Sequence, residues 1–323
     1  MSSVLKRQPR FQRSTAPAIE IGARDLLILS AIFQYRFLTA PLLHRLLGGS
    51  KEGITRRLTL LWQHGFLDRP RVPWRFRPGG GSLPIPHALG NQGAAVLSLH
   101  YPEAFVRGKV DWTEKNRITD PKYIPHTLGI AEVLVALTTA CRESDAVRFI
   151  NYNEIIEQAP AATRERENPS SWSVPLQRKG REVRRRVVPD ALLGLQFVHE
   201  PEGRNRVFFF LEVDRATEPV HRRDDTTIRA EEQSSFVKKL ALYFTTAKLK
   251  LHTANYGIKN FRVLVVTTSA ARVENLIQAN RAFNNGQGSR LFYFTTLAEI
   301  EQSENILTHP WQNGRNETVT LLD

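Results

Sequence analysis

The sequence predicts a two-domain protein of the α+β or α/β class, with a small helical domain ahead of a domain built on a sheet. Three consecutive helical segments near the start, with a glycine turn before the third, predict the first domain. Helical and strand-like segments that alternate after residue 126 predict the second. The length of 323 residues is sufficient for two separate cores.

Positive charge is concentrated in the first third of the chain. The formal net charge is +13, and residues 1–100 hold 14 lysines and arginines against 4 acidic residues. Twelve of those 14 are arginine, whose planar fork suits phosphate and guanine. A polyanion partner is therefore predicted, with double-stranded DNA first. Charge does not separate DNA from RNA, but no aromatic RNA-binding platform is visible, so RNA processing is the weaker alternative.

The first domain is predicted over residues 21–105, after a flexible basic arm at residues 1–20. Apolar side chains at helical spacing predict helices over 23–35, 41–47 and 51–64. A short glycine-containing turn separates the second helix from the third. This order is typical of a helix-turn-helix.

Capping residues support these helix boundaries. Thr39 is placed to cap the second helix, Ser50 the third, and Gly65 to end it. In a helix-turn-helix the last helix enters the major groove. Side chains predicted to contact DNA from this helix are Lys51, Thr55, Arg56, Arg57, Thr59 and Gln63.

A wing is predicted after the third helix. Residues 66–69 and 83–89 are strand-like, and 78–81 form a Pro-Gly-Gly-Gly tip between them. The wing arginines predicted to reach DNA are Arg69, Arg71, Arg75 and Arg77. The alternative is a three-helix domain whose basic hairpin contacts protein. A closing helix over 91–99 offers a surface for a homodimer.

The second domain is predicted over residues 126–300, after a polar linker at 106–125 and before a C-terminal tail at 301–323. A long insertion over 158–186 is predicted to be irregular. It ends in a basic run that is either a solvated face or a guide for a phosphate backbone. The other predicted elements are helix 126–141, strand 146–151, hairpin 187–213, helix 234–248, strand 261–267, helix 270–283 and strand 291–295.

Acidic residues end both strands of the predicted hairpin. A three-residue loop at 201–203 would place Asp190 opposite Asp214, and Glu212 opposite Leu192. All three carboxylates would then share one face of the sheet. Such a cluster predicts a Mg²⁺ or Mn²⁺ site. The alternative is a turn aspartate beside a solvated strand end.

The helix predicted over 234–248 carries basic and aromatic side chains beside this cluster. Tyr243 lies in its apolar stripe, one turn after Lys239. Lys239 is therefore expected to point toward the carboxylates and Lys238 toward water. A lysine there could stabilise charge that develops on a phosphate.

Pro189-Asp190, then Glu212-Val213-Asp214, then Lys239-x-x-x-Tyr243 resembles the PD-(D/E)xK nuclease-like superfamily. The resemblance implies a restriction-endonuclease-like αβββαβ core in which Asp190 and Glu212 bind the metal, supported by Asp214. Asp214 replaces the usual lysine of the motif, and Lys239 on the following helix matches a migrated lysine. The resemblance also implies a supporting role for Glu132 on the first core helix; the alternative is that Glu132 faces solvent or a nearby arginine.

The string EVDRATEP at 212–219, with the winged-helix region before it, resembles the replication-relaxation family of plasmids and other mobile elements. The resemblance implies a DNA-binding protein of plasmid replication, relaxation or mobilisation that cuts or nicks DNA with Mg²⁺ or Mn²⁺. Replication or mobilisation proteins are the further expected partners. The alternative is a non-catalytic accessory factor or transcriptional regulator, which suits the loss of the usual lysine.

The remaining features predict a cytoplasmic protein without a membrane partner. The basic N-terminus lacks a signal-peptide core, and no apolar run is long enough for a membrane span. The single cysteine, Cys141, excludes an internal disulfide and a cysteine-based metal cage. It is expected to be a packed small hydrophobe.

Overall fold

A computed structural model describes residues 11–14, 16–71, 83–105, 110–178, 181–215 and 236–323. The architecture is α+β, with twelve α-helices and a mixed sheet among these residues. Two compact units divide the chain, Met1–Val135 and Ala136–Asp323. The division falls after the predicted linker, because that linker contains a short helix whose Asn116 is buried within unit 1.

Unit 1 begins with the three predicted helices, each within a residue or two of its expected ends. The Ser50 hydroxyl accepts a hydrogen bond from the Gly53 amide, and Gly65 takes the positive φ of +77° that a helix end favours. Fully buried leucines and isoleucines of all three helices form the core. The elements are α1 (Ala23–Tyr35), α2 (Ala40–Leu47), α3 (Lys51–Gln63), β1 (Leu67–Asp68), β2 (Ala88–Leu89), α4 (Asn91–His100), a 3₁₀ turn (Pro102–Phe105) and α5 (Trp112–Arg117).

A short antiparallel ladder follows α3. Leu67 pairs with Leu89 and Asp68 with Ala88, so paired β-structure is shorter than the predicted runs. The predicted tip at 78–81 lies outside the described residues.

The described part of the predicted flexible arm is docked on unit 1. The Arg13 guanidinium donates to the Trp62 carbonyl at 2.8 Å and to the Asp68 carboxylate at 2.8 Å. The Ser14 amide donates to the Gln63 side chain at 2.6 Å. The buried Asp68 carboxylate and a carbonyl at the end of α3 thus hold residues that composition describes as a flexible arm.

Helix α6 (Tyr123–Arg142) starts three residues before its predicted position. Contrary to the expectation from the sequence, this helix is long and apolar enough to cross a membrane, yet 56% of its apolar window is buried inside the protein. That burial is typical of a helix that packs in a protein core. Cys141 is buried at its end, as expected, and burial raises the pKa of its thiol to about 11.

Unit 2 contains a seven-stranded mixed sheet in the order β11-β10-β9-β8-β7-β6-β3. Strands β7, β8 and β9 are parallel, and the neighbouring pairs on both sides are antiparallel. The elements are β3 (Val147–Ile150), α7 (Tyr152–Glu157), α8 (Ala161–Arg164), β4 (Trp172–Arg178), β5 (Arg181–Val187), β6 (Ala191–Phe197), β7 (Arg206–Val213), α9 (Phe236–Lys248), α10 (Leu251–Tyr256), β8 (Arg262–Thr267), α11 (Ala270–Phe283), β9 (Phe292–Thr296), α12 (Leu297–Gln302), β10 (Trp311–Asn313) and β11 (Thr318–Val319).

Two segments of unit 2 are more regular than predicted. The insertion 158–186 contains α8 and an antiparallel hairpin, β4–β5, because Trp172, Val174 and Val187 bury one side of it. The segment 301–323 adds β10 and β11 to the sheet instead of forming a separate tail. Trp311 anchors this edge and is fully buried.

The β6–β7 register differs from the prediction by two residues. Ala191 pairs with Leu211, which places Asp190 opposite Glu212 rather than Asp214. Gly203 does take its predicted positive φ, +84°. The loop is longer than predicted, however, because the last bond between the two strands runs from the Phe197 amide to the Asn205 carbonyl, and turns closed by the Glu200 and Arg204 amides fill the segment between them.

Candidate functional site

The buried carboxylate of Glu212 near the end of β7 is the centre of the candidate site. Its side chain is only 4% exposed. Lys239 Nζ lies 2.9 Å from Oε2, and the Tyr243 hydroxyl donates to Oε1 at 2.5 Å. Lys239 and Tyr243 are one turn apart on α9, so one face of this helix delivers both groups. The prediction that Lys239 reaches the carboxylates is confirmed for Glu212.

Burial and charge oppose each other at Glu212. Burial raises the pKa of the Glu212 carboxyl above its ordinary value, the Lys239 cation lowers it, and the negative charge of Asp190 raises it. Burial, with the Glu212 charge, also raises the pKa of the Tyr243 phenol well above its ordinary value. Tyr243 is therefore a neutral donor that orients Glu212.

Asp190 faces Glu212 across the β6–β7 ladder. Its amide donates to the Leu211 carbonyl at 3.0 Å, and its Oδ2 accepts from the Val213 amide at 2.7 Å. One carboxylate oxygen is thus fixed by the neighbouring strand. The two-residue shift in register keeps the predicted face but changes the partner of Asp190.

Asp214 is held by a cation of its own. Arg272 Nε lies 2.7 Å from Asp214 Oδ2, and Nη2 lies 3.3 Å from Oδ1. The Thr267 hydroxyl also donates to Oδ2 at 3.2 Å. Only 11% of the Arg272 side chain and 9% of the Asp214 side chain are exposed.

Arg272 was not predicted from the sequence as a site residue, although a signal for it exists. The Ser269 hydroxyl caps α11, so Arg272 lies in the first turn of the helix that follows β8. Because β7 and β8 are parallel neighbours, that turn starts beside the end of β7. A basic residue there is placed to meet an acid that ends β7.

The predicted set of three carboxylates does not form one metal-binding group. Among the described residues no cluster of three His, Cys, Asp or Glu side chains could hold a metal ion. Asp190 and Glu212 remain as a facing pair, while Asp214 is paired with Arg272. Glu132 lies in unit 1, where Arg45 Nη1 is 3.4 Å from its Oε1, in keeping with the alternative of a nearby arginine.

The exposed face of α3 is the candidate nucleic-acid surface of unit 1. Lys51, Thr55 and Arg56 are exposed and line a shallow groove along the helix. Arg71 is exposed just before the undescribed stretch that contains Arg75 and Arg77. Gln63 binds the Ser14 amide, so this predicted contact is used within the protein.

Two other predicted DNA contacts point into unit 1. Arg57 makes two hydrogen bonds to the buried Asp25 carboxylate, at 2.6 Å and 2.5 Å. Arg69 stacks on the Trp62 ring with its guanidinium carbon 4.0 Å from the ring centroid, and it donates to Thr59 at 2.8 Å. Burial lowers the pKa of Arg69 to about 10, so it stays charged at neutral pH.

Comparison with known proteins places the chain in a family. The sequence profile described as replication-relaxation matches residues 29–259, more than two thirds of the chain. No curated protein and no solved structure matches the chain significantly. The match runs from α1 to just beyond α10 and includes Asp190, Glu212 and Lys239. The chain therefore belongs to the replication-relaxation family.

Proposed function

We propose that this protein binds double-stranded DNA through unit 1 and hydrolyses a phosphodiester bond at the Asp190–Glu212 site of unit 2. Family membership indicates a role in the replication or relaxation of plasmids or mobile elements. In this proposal unit 1 is a winged helix-turn-helix and unit 2 is a PD-(D/E)xK-like core that nicks or cuts DNA.

The order and exposure of the elements in unit 1 support DNA binding. Three helices precede a short antiparallel ladder, and the third helix exposes Lys51, Thr55 and Arg56. A helix of this kind fits the major groove, and arginine can contact both guanine and phosphate. Arg57 and Arg69 hold the helix and ladder in place instead, through Asp25 and Trp62.

The observation that carries the catalytic proposal is the contact between Lys239 and Glu212. Asp214 stands where a strand lysine is usual, so a cation must reach the site from another element. Lys239 does so from α9, with Nζ 2.9 Å from Glu212 and 35% of its side chain exposed. An ammonium group that is partly accessible beside a carboxylate pair can bind a phosphate oxygen or orient water.

Asp190 and Glu212 fit a Mg²⁺ or Mn²⁺ site in which water and the substrate phosphate supply the remaining ligands. Magnesium is often held by only one or two carboxylates together with waters and phosphate oxygens. A bound ion would polarise the phosphoryl group and generate a nucleophilic hydroxide from water. Tyr243 fixes the orientation of Glu212, and the Val213 amide fixes one oxygen of Asp190.

A second, non-catalytic function is favoured by the internal pairing of the acids. Lys239 and Tyr243 occupy both oxygens of Glu212, and Arg272 contacts both oxygens of Asp214. These contacts satisfy the buried charges without a ligand. In that case unit 2 would be a scaffold for DNA or for a replication or mobilisation protein.

Incubation with supercoiled and linear DNA in Mg²⁺ or Mn²⁺ separates the two functions. The wild type, Asp190→Ala, Lys239→Ala and Lys248→Ala would be compared, because Lys248 is an exposed lysine at the far end of the same helix. Metal-dependent nicking or cleavage that is lost in the first two variants and kept in the third supports catalysis. Tight binding with unchanged DNA in every metal supports the scaffold.

A further inference from the structure

The β4–β5 hairpin carries a dense positive charge on a strand that leads to the candidate site. Strand β5 contains four arginines and one acid, Glu182. Register and alternation place residues 182, 184 and 186 on one face, opposite the side that buries Val187. Arg184 and Arg186 are both exposed on this outer face. Glu182 pairs with Arg184 at 3.3 Å, with both side chains more than half exposed, so this pair is weak.

The other face anchors the hairpin to the core that holds Glu212. The Trp172 indole donates to the Thr246 hydroxyl of α9 at 2.9 Å. The Trp172 ring also lies edge-on to Tyr243, with centroids 6.2 Å apart, and Tyr243 is the donor to Glu212. The hairpin that carries the basic face is therefore packed, through Trp172, against the helix that supplies Tyr243 to the candidate site.

The chain leads from this face directly to Asp190. Strand β5 ends at Val187, and Asp190 follows after Val188 and Pro189. Arg186 is thus four residues before Asp190 along an extended segment. The Cα atoms of Arg186 and Asp190 therefore lie within about 13 Å of each other, given ~3.3 Å per residue.

We propose that the outer face of the β4–β5 hairpin, with Arg184 and Arg186, is a second DNA-binding surface that contacts backbone phosphates next to the Asp190–Glu212 site. The inference deepens the proposed function and rests on it. Arginines two residues apart on a strand are about 7 Å apart at their Cα atoms and can contact separate phosphates. A two-stranded ribbon also fits the major groove of B-DNA. The alternative is that this face is only a charged surface in contact with water, in which case its arginines would have no specific effect on DNA affinity.

The test is a salt titration of DNA affinity with the full chain. Arg184→Gln/Arg186→Gln removes two charges from the hairpin. Arg281→Gln/Arg315→Gln, on exposed arginines near the end of α11 and before β11, removes two charges from elsewhere in unit 2. Each lost phosphate contact lowers the slope of log affinity against log salt by about 0.9, so the hairpin variant should lose about 1.8 from the slope and about tenfold in affinity. Its thermal unfolding midpoint should match the wild type.

Each outcome decides the inference. Equal losses in both double variants would show a general charge effect and overturn it, as would a hairpin variant that binds DNA like the wild type. A hairpin variant that loses affinity only for an RNA duplex of the same length would overturn the choice of DNA. A wild type that binds no DNA would overturn the proposed function as well, whereas a failure confined to the hairpin leaves binding through Arg56 intact.

Discussion

Replacing Lys239 with methionine tests the charge balance around Glu212. Methionine keeps most of the length and apolar volume of lysine but removes the cation 2.9 Å from Glu212 Oε2. The Glu212 side chain is 4% exposed and faces Asp190, so its negative charge would lose its cationic partner in a buried place. Tyr243 would still donate one hydrogen bond.

The expected cost follows from the burial of the two partners. Breaking a fully buried ion pair by removing one partner costs ~3–5 kcal/mol. Lys239 is 35% exposed, so water already screens part of the interaction. We therefore expect Lys239→Met to lower the free energy of unfolding of unit 2 by about 1–3 kcal/mol at neutral pH.

The direction of the Glu212 pKa shift determines how the stability of unit 2 depends on pH. The folded-state pKa of Glu212 lies above the ordinary value of 4.5, so the folded protein binds this proton more tightly than the unfolded chain does. The contribution of Glu212 to stability is therefore highest below that ordinary value, falls as pH rises toward the folded-state pKa, and stays low above it. Removing Lys239 raises the folded-state pKa further. The variant should resemble the wild type in acid and diverge from it as pH rises.

The assay is urea unfolding at several pH values, followed by hydrogen exchange of β7 amides so that unit 2 is observed directly. Glu212→Gln and the double variant complete a thermodynamic cycle. The double variant should recover most of the loss, because a neutral glutamine needs no cation. A loss for Lys239→Met that is the same at every pH, or that persists beside Glu212→Gln, would refute this account of the site.

Three further outcomes follow from the described contacts. Arg57→Ala should destabilise unit 1 by about 2–4 kcal/mol in chemical denaturation, because it leaves the buried Asp25 carboxylate without its guanidinium partner; unchanged stability would contradict this. Arg56→Ala should leave stability unchanged but lower the salt slope of DNA affinity by about 0.9 in a titration, and an unchanged slope would remove Arg56 from the interface. Cys141, whose pKa is raised to about 11, should resist iodoacetamide in the native protein at neutral pH and react once the chain is unfolded, as mass spectrometry would show.

Local patterns in the sequence predicted the helices and the main site contact. Ser50 capping and apolar spacing placed α3 correctly, because these signals act within a single turn. The positions of Lys239 and Tyr243 on one helical face predicted that both would reach the sheet together, as they do at Glu212. The family resemblance, also visible in short motifs, is confirmed over residues 29–259.

Partners that come from distant parts of the chain required the tertiary structure. The β6–β7 register depends on where the hairpin leaves the ladder, which is at the bond from the Phe197 amide to the Asn205 carbonyl. Asp214 and Arg272 are 58 residues apart in the sequence, and the parallel connection between β7 and β8 brings them together. The basic residues 181–186 form part of a strand because Trp172 and Val187 of the same hairpin pack into the core beside α9.

The sequence by itself determined most of the helices, the excess of positive charge and the residue types available for chemistry, because each of these depends on composition or on neighbours in the chain. Only the tertiary structure decided which charges are neutralised internally and which face outward. Arg56 and Arg57 are adjacent in sequence, yet Arg56 is exposed and Arg57 is bonded to Asp25 from another helix. The physical reason is that a buried carboxylate must recruit a cation from whichever element passes within hydrogen-bonding distance.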